Sequence, residues 1–408
     1  PLSVVTLAIE YELFDQNPHI SHFVNALLYG LTGLIIFSLL VHLLRHIKFE
    51  PYGKQWFMSI PFLAAVLYLI HPIHTEAVAN IKGRDEIMTF MGALGAFWFT
   101  LRYIEAKEMK HLLLSGLMFF LGLLSKENAI TFLAVIPVGL HFFTQARRKE
   151  IIASLVPLLV ATAVFLILRR IILGTNLTGT AHELMNNPFV YATTAERFAT
   201  VSLTLGKYLL LLLFPHPLTW DYYPYHIPLV NWDDWRAIVP LLVYLAIGIY
   251  GLIKLPKKQQ LIPFAIVVYM ATLSIVSNIF IVVGAFMSER FLYLPSLGYV
   301  LAVAWLMGKW LPQKLQNKLP KAAVQNSIVA LLVLISVAGA AKTFDRNRDW
   351  KNNFTLFTHD VQVSQGSAKG HTTSGEQLLL AAIAEENDSI SQDYFERCMD
   401  HFNKAIQI

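Results

Sequence analysis

"HPIHTEAVANIKGRDE" (residues 71–86) packs two histidines, three acids and two bases between two apolar runs, 56–72 and 87–104. Each run approaches the ~17–25 residues that cross a bilayer as a helix, so the stretch reads as a polar connection between two membrane crossings. The whole chain agrees with that reading. Of its 408 residues 55% are hydrophobic and only 14% charged, its mean hydropathy is +0.52, and a soluble domain carries about 25% charged residues. The net charge of +5 comes mostly from loop lysines and arginines and reports topology, not a nucleic-acid partner. The single cysteine, Cys398, excludes an intrachain disulfide framework.

Apolar spans lie at 22–44, 56–72, 87–104, 111–125, 128–145, 151–173, 236–254, 261–286, 290–310 and 323–341, which gives ten crossings. Basic clusters fall on every second connection: Arg45/His46/Lys48/Lys54, Arg102/Lys107/Lys110, Arg147/Arg148/Lys149, Lys254/Lys257/Lys258 and Lys309/Lys314/Lys318/Lys321. The positive-inside rule puts these in the cytoplasm. The stretch 71–86, the turn at Lys126, the segment 174–235, the turn at Glu289 and the C-terminal tail then share the external side. Residues 198–214 are apolar enough to cross but would reverse the later charges, so the reading there is a re-entrant or interfacial helix.

Residues 1–341 are thus expected to form a membrane domain and 342–408 a separable polar tail. The tail shows apolar residues at helical spacing, with Gly375 placed where two helices can approach closely and Ala405 in a terminal amphipathic helix. It reads as the start of a tetratricopeptide array, which needs about three repeats to be stable. The first residues, "PLSVVTLAIEYELFDQNPH", carry no initiator methionine, and the expectation is that the natural N-terminus lies upstream.

Candidate site residues gather on the predicted external face: His71, His74, Glu76, Arg84 and Asp85; Lys126 and Glu127; Asp221 and Tyr222 in "LTWDYYPYHIPL"; and Glu289, Arg290 and Tyr293 in "MSERFLYLP". Ionisable groups at membrane depth are costly, about 2.5–3.5 kcal/mol on insertion scales, and default to function. Each also has a plain structural reading: a solvated capped loop at 71–86, a local Lys126–Glu127 ion pair, an interfacial tyrosine belt. His71 and His74 with Glu76 lack a third zinc ligand at settled spacing, and no metal is assigned. Arginine and lysine suit a phosphate, while carboxylates and aromatic faces suit a sugar ring. A glycosyl phosphate needs a cationic grip on its leaving group and a carboxylate base for the incoming hydroxyl.

In order along the chain, "HPIHTEAVANIKGRDE", "LLSKENAITF", "KYLLLLLFPHPLTWDYYPYHIPLV" and "SERFLYLPSLGYV", followed by tetratricopeptide-like helices, resemble the transmembrane and tetratricopeptide repeat-containing O-mannosyltransferases. The resemblance covers nearly the whole chain. It implies an all-α polytopic bundle of the C-type glycosyltransferase kind, related to the protein O-mannosyltransferases. It further implies inverting transfer of mannose from a polyprenyl-phosphate donor to Ser or Thr of an extracytoplasmic protein, with no metal or other cofactor. The family's catalytic acid pair lies in the first external loop, just before a stretch that "PLSVV" resembles. The base is therefore expected upstream of Pro1, and Glu10, Glu12 and Asp15 are not its substitutes.

The resulting expectation is a multi-pass glycosyltransferase with Arg290 and Lys126 on phosphate. His74, Glu76, Arg84 and Asp85 would line the sugar and acceptor cavity, with Asp221 and Tyr222 at its rim. Its partners would be membrane lipid, the lipid-linked sugar and an acceptor protein met through the repeats. The rival is a non-catalytic scaffold or lipid-linked-sugar transporter whose repeats recruit partners. Short loops favour a bacterial inner membrane with an external C-terminus. The sequons at Asn176, Asn353 and Asn387 would matter only in an endoplasmic reticulum or its equivalent.

Overall fold

A computed structural model describes residues 1–45, 56–174, 187–223 and 225–408. His46, Lys48, Lys54 and the Asn176 sequon lie outside the described residues. In chain order the helices are α1 (Leu2–Phe14), α2 (Pro18–Leu44), α3 (Ile60–Leu69), α4 (Thr75–Ala79), α5 (Arg84–Ala106), α6 (Met109–Ser125), α7 (Phe132–Phe143), α8 (Arg148–Leu173) and α9 (Thr194–Leu213). They continue with α10 (Trp235–Lys254), α11 (Leu261–Ser274), α12 (Ser296–Trp305), α13 (Leu311–Leu315), α14 (Lys321–Asp349), α15 (Asn353–Val363), α16 (Ala368–Ala384) and α17 (Asp388–Gln407). No strand occurs among the described residues, so the fold is all-α.

Among the described residues five helices are long and apolar enough to cross a membrane: α2, Ile81–Ala106 containing α5, α8, α10 and α14. The run 56–72 is instead a pair, Ile60–Leu69 and Pro72–Ala79, bent by 50°. Pro72 lacks the amide that would continue α3, and a helix normally stops before it. Three further apolar helices, Met109–Ser125, Glu127–Phe143 and Leu261–Ser274, are shorter. The expected span 261–286 therefore ends at Ser274. Residues 275–286 are apolar, but Asn278 takes a positive φ of 61° and Gly284 one of 78°. The Asn278 amide donates to the carbonyls of Ala285 (2.8 Å) and Phe286 (3.1 Å), while its oxygen accepts from the Val283 amide at 2.9 Å. A side chain that satisfies three backbone groups closes a turn where composition alone suggests a helix. α9 is a 20-residue helix but is not among those apolar enough to span.

The chain divides into two compact units: Pro1–Thr178, Ala246–Ile275 and Tyr293–Ala341 form the first; Gly179–Leu245, Val276–Leu292 and Lys342–Ile408 form the second. In the first, α5 packs along α6, α2 along α3 and α5, and α12 along α3 and α11. A Cβ on Gly92 would stand 2.6 Å from Cα of Gly122, so the α5–α6 crossing exists only because both backbones are bare there. Thr89, one turn earlier, fastens the crossing by donating to the carbonyls of Gly122 (2.7 Å) and Lys126 (2.8 Å). At the opposite end of this unit, His42, Arg45, Glu105, Lys107, Glu150 and Lys258 line one cavity of about 380 Å³. Residues at four of the connections marked by basic clusters thus line it together.

The second unit joins α9, 276–292 and the tail. The expected boundary at 341/342 coincides with one edge of this division, but the tail does not stand apart. Asp360 accepts from the Trp220 amide at 2.7 Å, Ser364 Oγ lies 2.8 Å from Thr219 Oγ1 and donates to the Asp221 carbonyl at 2.7 Å, and the Tyr225 amide donates to the Gly366 carbonyl at 2.6 Å. A polar composition signals exposure to water; it does not reveal which polar groups close on a loop far away in sequence. α16 and α17 form a helical hairpin of the kind a tetratricopeptide repeat uses. At Gly375 an added Cβ would lie 2.7 Å from the Phe402 ring, the close approach anticipated from the sequence.

Candidate functional site

The predicted site residues separate into two clusters, one in each unit. In the first unit, residues 71–86 fold as a series of short turns. His71 caps the first, its Nδ1 accepting from the Ile73 amide at 3.2 Å, and Asn80 caps the last by accepting from the Lys82 amide at 3.0 Å. Asn25 of α2 donates to the carbonyls of Val78 and Asn80, both at 3.2 Å, so a helix end stitches the loop down.

His74 is 2% exposed. Its Nδ1 meets the Tyr29 hydroxyl at 2.7 Å and its Nε2 the Ser296 hydroxyl at 2.8 Å, so both ring nitrogens are engaged. Its ring lies 5.1 Å from that of Tyr293 and 4.3 Å from that of Tyr68. Tyr68 in turn donates to the Tyr293 carbonyl at 2.9 Å. Glu76 is buried in α4. His74, Tyr293 and Glu76 therefore form the packed wall under the loop.

Arg84 is fully buried. Its guanidinium donates bidentately to Glu10 at 2.5 and 3.0 Å, to Asn25 Oδ1 at 2.8 Å, to the Ser21 carbonyl at 3.2 Å and to Thr6 at 3.3 Å. With its donors so occupied, Arg84 ties α1 and α2 to the start of α5 and faces protein, where the sequence reading had it facing a cavity. Burial raises the affinity of Glu10 for its proton, but the bonds from Arg84 and Ser21 outweigh it and hold this carboxyl below the ordinary glutamate value. A carboxylate so stabilised is a poor proton acceptor.

Lys126 ends α6 in extended conformation and reaches back to Glu86 at 2.6 Å and Asp85 at 3.5 Å. Its neighbour Glu127 points elsewhere, 3.7 Å from Arg169, so the local Lys126–Glu127 pair does not form. Glu86 is 1% exposed and also accepts from Asn128 at 3.4 Å. The geometry follows from spacing: Glu86 and Thr89 stand three apart on one face of α5, Thr89 holds the end of α6, and Lys126 is thereby delivered to Glu86. Lys126 and Asp85 retain side-chain exposures of 21% and 22%. They are the accessible members of the cluster and offer a cation and an acid side by side. Glu86 was not among the residues singled out from the sequence; paired acids at the N-terminus of α5, with a lysine at the end of the next helix, were its signal.

In the second unit, Glu289 is fully buried. One carboxylate oxygen accepts from the Thr219 amide at 2.5 Å and from the Tyr222 hydroxyl at 3.1 Å, so Glu289 and Tyr222 shape the loop 219–223. Asp221, 1% exposed, accepts from the Tyr223 amide at 3.1 Å and from the Ser367 hydroxyl. Ser367 is the residue whose oxygen caps α16 through the Gly370 amide at 3.1 Å, a serine in the usual N-cap role. Asp221 is thus built into the start of a tail helix. Burial pushes its carboxyl up, against the lowering effect of these bonds.

Arg290 follows Glu289 and is half-buried, its guanidinium 5.7 Å from the Phe291 ring. Its charge bears on Tyr223 and on Lys369. Lys369, which the sequence reading passed over as one more tail lysine, stands over the Tyr223 ring at 4.0 Å. Asp349, His359 and Asp360 also bring ligand-type atoms within 4.8 Å of one another. There, however, Arg346 binds Asp349 at 3.0 Å and Asp360 at 2.6 Å, taking the place a metal cation would occupy.

A family model described as "Dolichyl-phosphate-mannose-protein mannosyltransferase" matches residues 1–172. The mouse "Protein O-mannosyl-transferase TMTC3" is 25% identical over 440 residues, covering 100% of this chain and 44% of the relative. The Caenorhabditis elegans "Protein O-mannosyl-transferase F38B6.6" is 28% identical over 388 residues, 93% of this chain and 50% of the relative. The mouse "Protein O-mannosyl-transferase TMTC4" is 26% identical over 426 residues, 93% of this chain and 55% of the relative. The chain spans about half the length of the curated relatives it matches, and no solved structure matches it. With the matched segment carrying the Arg84 and Lys126 pairs, and the alignments running on through the second unit and into the tail, the chain is similar along its length to proteins named as protein O-mannosyl-transferases.

Proposed function

We propose that this protein is an inverting membrane mannosyltransferase that takes mannose from a polyprenyl-phosphate donor to a Ser or Thr hydroxyl of an extracytoplasmic protein. The observation that carries the reading is the coincidence of match and chemistry: residues 1–172, which match the mannosyltransferase model, hold the accessible Lys126–Asp85 pair over buried Glu86. Lys126, beside Asp85, supplies a cation for the phosphate that departs, whose charge grows in the transition state and which a fixed cation stabilises most at that point; Arg290 is a separate candidate cation in the second unit. Asp85 serves hydroxyl recognition beside Lys126. His74, Glu76, Arg84 and Tyr293 hold the loop in shape. The reading invokes no metal or cofactor. The tail faces the acceptor side, in a bacterial inner membrane or an endoplasmic reticulum equivalent.

The test is transfer of labelled mannose by the whole protein, expressed from its gene and purified in nanodiscs, to Ser/Thr-containing peptides. Polyprenyl-phosphate mannose should support transfer and a nucleotide-linked mannose should not. Transfer from the nucleotide sugar alone, or binding of the lipid-linked sugar with no turnover on any peptide, would refute the reading.

A further inference from the structure

Past Ser274 the chain stays apolar without staying helical. Residues 275–287 contain no ionisable side chain, yet they form a turn whose tip stands clear of the protein, with Phe280 75% and Ile281 58% exposed. The tip is held there from three directions, all within the second unit. Asn278 closes the base of the turn on Val283, Ala285 and Phe286. Arg197, in the first turn of α9, donates to the carbonyls of Asn278 at 2.7 Å and Ile279 at 3.2 Å. The Tyr223 hydroxyl donates to the carbonyl of Gly284 at 2.7 Å.

Leaving a phenylalanine and an isoleucine in water forgoes about 1.5–3 kcal/mol for each, so a turn fastened to hold them out calls for an apolar neighbour. A protein partner is usually met through a polar rim around an apolar centre. Here the polar side chains of the turn, Ser277 and Asn278, are buried and bonded to its own backbone, which leaves the tip aliphatic and aromatic throughout. The run follows the apolar helix α11 with no charge between them to carry it away from the membrane. Arg197 lies in the segment 174–235 and the turn in the connection to Glu289, both assigned to the external side by the basic clusters. Among the described residues Arg197 forms no ion pair, and its guanidinium lies 5.4 Å from the Phe198 ring. An apolar tip with an arginine behind it is the arrangement of a segment that lies in the membrane interface.

We propose that the turn 278–284 is an interfacial anchor: Phe280 and Ile281 enter the acyl boundary of the external leaflet, to a depth of ~5–10 Å, with Arg197 at the level of the lipid phosphates. Through Tyr223 the same turn holds the loop 219–223 at the membrane surface.

The test places a nitroxide on a single cysteine in the whole protein, in phosphatidylcholine nanodiscs, with the buried Cys398 replaced as Cys398→Ala. The labelled variants are Phe280→Cys and Ile281→Cys, each of which leaves the other tip residue in place, and Lys351→Cys, an exposed tail position that serves as the aqueous reference. Collisions are counted with oxygen, which concentrates among acyl chains, and with a water-soluble nickel chelate. At both tip positions the oxygen-to-nickel ratio should stand several-fold above that at 351, and a Ser/Thr-containing peptide should leave it unchanged. Ratios at both tip positions equal to that at 351 refute the anchor. Low collision with both reagents shows the tip covered by protein, whether a second copy or another part of this chain, and refutes it as well; so does a peptide that shields the label. Should Cys398→Ala unfold the tail, Cys398→Val is the second background, read by the same ratios. Each of these outcomes is independent of whether the protein transfers a sugar.

Discussion

Replacing Arg346 with methionine tests whether the tail is anchored as the second unit implies. Arg346 is 1% and Asp360 0% exposed. The two share bonds of 2.6 and 2.7 Å, and Arg346 also donates to Asp349 at 3.0 Å. Asp360 accepts from the Trp220 amide as well. Methionine fills much of the arginine's volume but leaves Asp360 as a buried carboxylate that has lost its counter-ion. Breaking a buried pair from one side costs about 3–5 kcal/mol, whereas replacing both partners by apolar groups is often close to neutral. At roughly 2–4 °C per kcal/mol for a unit of 150–250 residues, Arg346→Met should lower the melting temperature of the second unit by on the order of 10 °C. Arg346→Met with Asp360→Leu should recover most of that. The assay is thermal unfolding in detergent read by protease nicking between residues 342 and 408, with hydrogen exchange at Trp220 reporting the loop. A loss below about 1 kcal/mol for the single variant, or additive losses in the double, would refute the claim that Arg346 is the counter-ion that keeps Asp360 in place beneath the loop.

Three further outcomes are expected. Because Glu10 has a depressed folded-state pKa, its contribution to stability is present above the ordinary glutamate value and is lost as pH falls through the folded one; the melting-temperature gap between wild type and Glu10→Gln should close on acidification from pH 6 to 3. Burial, reinforced by His371, lowers His401 to about 4, so protons bind the unfolded tail first. Tail stability should fall between about pH 6.5 and 4, by about 1–2 kcal/mol after allowance for solvent screening, and hydrogen exchange on His401→Gln should show that slope flattened. Single cysteines at the exposed Lys258 and Glu376 should label from opposite sides of intact membranes; labelling from the same side would overturn the topology.

The helical class and the long spans were legible because 18 or more apolar residues in a row have few other destinations. The turn at Asn278 was not, since it depends on one side chain closing on three backbone groups. At the site, the loop 71–86 announced itself by charge, and Lys126, singled out from the sequence, pairs with Glu86 and Asp85 of that stretch. Arg84 and Asp221 were singled out for the same reason, yet their charges are consumed inside the protein: an arginine saturated by Glu10 and Asn25 reads in one dimension like one waiting for phosphate. Lys369 was invisible because its meaning lies in the rings it stands over, which are about 150 residues earlier in the chain.

The bonds between the loop 219–223 and the tail also set an order in time. Trp220 and its partner Asp360 are 140 residues apart, and Asp221 and Ser367 are 146 apart. At roughly 5–20 residues per second, the loop emerges on the order of ten seconds before the groups that give it its shape. While the chain is being made, the membrane helices can be in place with their external loop still unfastened. The loop therefore takes its final shape only after residues 360–367 have been made.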